Sequence, residues 1–99
     1  MIDYNIKANN LGVVRHVWEK DGFELAMIVR PDAGTMFQVS GRVDGIELDM
    51  DGLAEEPKIE ISLASVGAMD TEAAVDFAAK VQQAAETANQ FQLIINSFM

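Results

Sequence analysis

Ninety-nine residues make a single domain, and 49 % of them are apolar, so neither a multidomain chain nor a globally disordered one is expected. Sixteen acidic residues against seven basic ones leave a net charge of −9, which disfavours contact with nucleic-acid phosphates or anionic membrane surfaces and suits a basic protein partner or water. The absence of cysteine removes disulfides, thiolate chemistry and cysteine-based zinc sites. Together with an N-terminus that lacks a signal-peptide pattern, it predicts a cytoplasmic protein. No apolar run approaches the length needed to span a bilayer.

Ile2, Tyr4 and Ile6 alternate with polar neighbours and predict a short first strand. Asn9, Asn10 and Gly12 supply a turn, because Asn and Gly tolerate positive φ. Val13 to Glu19 is rich in β-branched and aromatic residues and suits a second strand. Lys20-Asp21-Gly22 then fits a type I′ hairpin into Phe23–Arg30. That strand is apolar on both faces after Glu24, which predicts a central or doubly covered position. Pro31 to Gly34 is the next turn. Thr35 to Val43 alternates with Phe37, Val39 and Val43 inward and Met36, Gln38, Ser40 and Arg42 outward. A second Asp-Gly turn, Asp44-Gly45, leads into Ile46, Leu48 and Met50, which alternate with Glu47, Asp49 and Asp51. Gly52 to Pro57 is a loop, and Lys58 to Ala64 alternates again with Ile59, Ile61 and Leu63 inward.

The period changes after Val66-Gly67-Ala68. Asp70 or Thr71 suits a helix N-cap, and Glu72 suits its positive dipole end. Ala74, Phe77, Val81, Ala84, Ala88, Phe91, Ile95 and Phe98 recur every three or four residues and form one helical stripe. A helix from Asp70 to Phe98 would run about 43 Å, against about 24 Å for a seven-residue strand. It must therefore bend near Asn89 or overhang its own sheet. Thr87 to Met99 carries no charged side chain, so the far half is expected to be dry, packed in a second copy of the chain. A strand over Gln90 to Phe98 is the alternative to helix there.

The expected fold is α+β: an antiparallel, meander-like sheet of four to six strands over residues 1–68, covered on one face by a helix over 69–99. Its acidic strand face, Asp44, Glu47, Asp49, Asp51 and Glu60, is the candidate surface for a basic partner, as a phosphate mimic or by plain charge attraction. Phe91, Ile94, Ile95 and Phe98 are the candidate homodimer interface.

Chemistry is sparser. Asp49-Met50-Asp51-Gly52 matches part of an EF-hand loop, but Lys58 stands where the closing glutamate belongs, and carboxylates two apart on a strand project side by side. His16 is the only histidine and has neither a nucleophile motif nor cysteine company, so neither a catalytic nor a metal site is expected. No glycine-rich phosphate loop opens a helix, and no cofactor is implied. These readings predict a small acidic non-catalytic interaction protein, an inhibitor or accessory factor, which forms homodimers. The alternative is a small-molecule site or enzyme with a pocket between sheet and helix lined by Trp18, Met27 and Phe77.

Overall fold

The computed structural model describes residues 2–50, 57–64 and 67–99. Strands β1 (Asp3–Ala8), β2 (Val14–Lys20), β3 (Phe23–Arg30) and β4 (Gly34–Ser40) form an antiparallel sheet in the order β1-β2-β3-β4. Strands β5 (Arg42–Val43), β6 (Ile46–Met50) and β7 (Ile59–Leu63) form a second sheet in the order β5-β6-β7. Helix α1 (Thr71–Ser97) follows, and the fold is α+β.

Both Asp-Gly turns form as their sequence dictates. Asp21 and Gly22 have φ of 53° and 88°, and Asp44 and Gly45 have 51° and 80°, the two positive values that a type I′ hairpin needs. The Asn9 side chain organises the β1–β2 turn by accepting from the backbone N–H of Leu11 and Val13 at 2.9 and 3.2 Å.

The continuous alternation from Thr35 to Val43 breaks at Gly41, which divides the expected single sheet into two. Gly41 has φ of 130°, and a Cβ there would lie 2.6 Å from the Gly22 carbonyl oxygen and 2.8 Å from Phe23 Cα. Only glycine lets the chain bend this closely past the β2–β3 hairpin.

Strand β3 is central, as its two apolar faces require. On one face Leu25 is fully buried in the core. On the other, Ala26 pairs with Val17, and the Arg15–Glu24 ion pair at 2.8 Å reaches diagonally across them. Val17 and Ala26 are buried at 2 % and 1 % exposure on this face, which points away from α1.

The main core joins Phe23, Leu25 and Val39 of the first sheet, Ile46 and Leu48 of the second, and Ala84, Ala88, Phe91 and Ile95 of α1. The helix is unbroken through Asn89, and no strand forms over Gln90 to Phe98. Asp70 caps it, its carboxylate accepting from the Ala73 N–H at 2.8 Å. The overhang lies at the end opposite to the expected one. The buried helix residues run from Ala84 to Ile95, whereas Thr71 to Asp76 are all exposed. The molecule is correspondingly elongated, 52 Å by 26 Å by 22 Å.

Candidate functional site

The acidic set predicted from sequence divides between two faces of the fold. Asp44 turns toward the helix, where its carboxylate lies 3.3 Å from Lys80 Nζ. Asp76 sits 3.2 Å from the same ammonium. Hydrogen bonds from Lys80 to Asp76 and then Asp44, with their charge attraction, raise the Lys80 pKa above the ordinary 10.5. Glu47 pairs with Arg42 across the β5–β6 ladder at 3.5 Å. Asp49 and Glu60 stand directly opposite each other on β6 and β7, a like-charge pair. Asp51 lies outside the described residues. Two of the five carboxylates are therefore matched by cations, and two more oppose each other without one in their ladder.

The expected dimer residues are also separated. Phe91 and Ile95 are fully buried in the chain's own core, and Ile94 packs against that core, so Phe91 and Ile95 offer nothing to a second copy. Phe98 is 55 % exposed, and it lies over the four-stranded sheet. The uncharged tail is dry on one side only: Phe91 and Ile95 are buried, whereas Leu93, Phe98 and Met99 are 69 %, 55 % and 66 % exposed. Gln92 Oε1 accepts from the Ile59 N–H at 3.0 Å, and Gln92 Nε2 donates to the Pro57 carbonyl at 2.9 Å. Gln90 accepts from Lys20 Nζ at 2.9 Å. Polar amides thus stitch the helix to both sheets where charged residues would face water.

The side chains suggested for an internal pocket do not converge. Trp18 packs against Phe98, with ring centroids 6.0 Å apart. Phe77 stands 21 positions earlier in the helical segment, about 32 Å along its axis.

A different surface emerges from the strand register. On the helix-side face of the first sheet, Tyr4, Trp18, Leu25 and Val39 form one cross-strand row. Ile6, His16, Met27 and Phe37 form the next, and Ala8, Val14, Val29 and Thr35 the last. The helix covers Leu25, Val39 and part of Trp18 in the first row and stops, leaving Tyr4 at the edge 46 % exposed. Phe98 closes the boundary, with its ring 6.0 Å from Trp18 and 6.4 Å from Phe37. Beyond it the sheet is open at its two edge strands, where Ile6 is 59 % exposed and Ala8 and Thr35 are exposed, whereas Met27 is buried at 6 % and Val14, His16, Val29 and Phe37 are half-buried.

Aromatic side chains stiffen this margin. Tyr4 lies tilted against Trp18 at 5.0 Å and stacked with His16 at 6.0 Å, and its hydroxyl hydrogen-bonds to His16 Nδ1. His16 is occupied by that contact and by the Trp18 ring at 6.3 Å. The eight residues of the two open rows include no carboxylate, although the whole chain has sixteen. An apolar, acid-free sheet face bordered by rigid aromatics is suited to packing against another protein surface.

The chain matches no protein-family model, and neither the curated proteins nor the solved structures contain a significant match to it.

Proposed function

We propose that this chain is a non-catalytic interaction protein that docks a partner protein on the open half of its four-stranded sheet. The observation that carries this reading is the pair of rows running from Ile6 to Phe37 and from Ala8 to Thr35, exposed at Ile6, Ala8 and Thr35 and half-buried at His16, Phe37, Val14 and Val29. A folded chain loses free energy of hydration by leaving such a face in water, at roughly 25 cal/mol per Å² of apolar area, and recovers it by docking. The overall charge of −9 then acts at longer range. It speeds encounter with a basic partner and suppresses acidic ones, while the apolar face supplies the contact.

Affinity capture with wild-type and substituted protein tests this. Ile6→Asp puts a charge on the open face at a position where the side chain is already largely in water, so the fold is preserved. The double variant Asp49→Lys/Glu60→Lys instead reverses the remaining acidic pair. Ile6→Asp is expected to abolish capture of the partner at both low and high salt. The acidic-face variant is expected to weaken capture at low salt alone. Full capture by Ile6→Asp together with complete loss in the acidic-face variant would overturn the assignment.

A further inference from the structure

Strand β1 forms one edge of the four-stranded sheet, and all six of its residues are exposed. It pairs with β2 residue for residue from Asp3 to Ala8, with no bulge or proline to twist or block its outer side. Protein edges of this length are usually protected, because their free N–H and C=O groups accept another strand. The only charges on this edge are Asp3 and Lys7, and they are placed symmetrically about Asn5.

We infer that β1 pairs antiparallel with β1 of a second copy, centred on Asn5. In that register Asp3 stands opposite Lys7 of the second copy, and Lys7 opposite its Asp3. On the other face Tyr4 stands opposite Ile6, again twice. Opposite residues in an antiparallel pair share a face, so two-fold pairing is centred on a residue. Moving the centre to Tyr4 faces Asp3 with Asn5; moving it to Ile6 faces Lys7 with Asn5. Only the Asn5 centre makes two ion pairs and two apolar pairs, each of a kind that stabilises adjacent strands.

The edge is also where two such acidic molecules meet at least electrostatic cost, since Asp3 and Lys7 sum to zero within a chain of net charge −9. The product is an eight-stranded sheet in which Ile6 of each copy lies beside Tyr4 of the other, so that the two open halves sit on opposite sides of the two-fold axis. This goes beyond the docking reading and does not require it: the edge supplies backbone hydrogen bonds, and the open face is a side-chain surface.

Charge exchange tests the register. Asp3→Lys and Lys7→Asp each replace both attractive cross-strand pairs by repulsive ones, at exposed positions that leave the fold intact by circular dichroism. Each variant alone is expected to raise the dimer dissociation constant about tenfold or more in sedimentation at low salt. Mixing the two variants restores complementarity, so native mass spectrometry should show the mixed dimer dominating both self-paired forms. The double variant Asp3→Lys/Lys7→Asp should recover wild-type self-association. A wild-type chain that stays monomeric at about 100 µM, well above a typical micromolar dissociation constant, overturns the inference. So does a dimer that both single variants leave unchanged, or a mixture with no preference for the mixed dimer. Partner capture by Thr35→Asp and wild type reads the docking surface separately, because Thr35 is exposed on β4 at the other edge of the sheet and takes no part in the β1 pairing.

Discussion

Gly41 shows how much architecture one residue can set. It closes the first sheet and starts the second, and it does so against the backbone of a hairpin about twenty positions earlier in the chain. Its φ of 130° is closed to side-chain-bearing residues, and the space a methyl group would need is filled by the Gly22 carbonyl oxygen and Phe23 Cα. Gly41→Ala is therefore expected to destabilise the fold by about 3 kcal/mol, read as a lower urea midpoint with an unchanged slope. The sequence marks Gly41 only as a gap in an alternating strand, because the atoms that exclude a Cβ come from a distant turn. Asp21-Gly22 and Asp44-Gly45 were legible for the converse reason: a type I′ turn is determined by its own two residues.

At the scale of elements, β6 and β7 carry the acidic face in a register that opposes Asp49 to Glu60. Like charges directly across a ladder are destabilising, so Glu60→Lys is expected to raise stability by roughly 0.5–1 kcal/mol, measured as a higher melting temperature that falls back with added salt. The alternation of Ile46, Leu48 and Met50 with acids identified this strand and its dry side, and Ile46 and Leu48 are buried accordingly. What alternation does not encode is the destination of the turn residue. Asp44 faces Lys80 because the helix passes there, a fact of tertiary placement. The helix illustrates the same limit. Its stripe was readable from Ala74 to Phe98, and its length predicted an overhang. The charge-free segment after Thr87 implied burial without saying against what, and Phe91 and Ile95 are buried in the chain's own core. The overhanging end is instead Thr71 to Asp76, where Asp70 and Glu72 complement the helix dipole and permit solvation.

For the whole molecule, the decisive relation is between a helix that covers one cross-strand row of the first sheet and a sheet that continues for two more. Sequence periodicity reveals which residues of one strand share a face, Tyr4 with Ile6 or Phe37 with Val39, but not how far the covering layer extends. The open rows, the aromatic margin of Tyr4, His16, Trp18 and Phe98, and the free edge of β1 all adjoin one another, while the acids of β6 and β7 lie in the other sheet. A partner bound to the first group and a partner bound to the second leave different footprints. The most direct measurement is an amide chemical-shift map of the isotopically labelled chain bound to its captured partner. The largest shifts are expected at Ile6, His16, Met27, Val29 and Thr35. Shifts confined to Glu47, Asp49 and Glu60 would contradict the account.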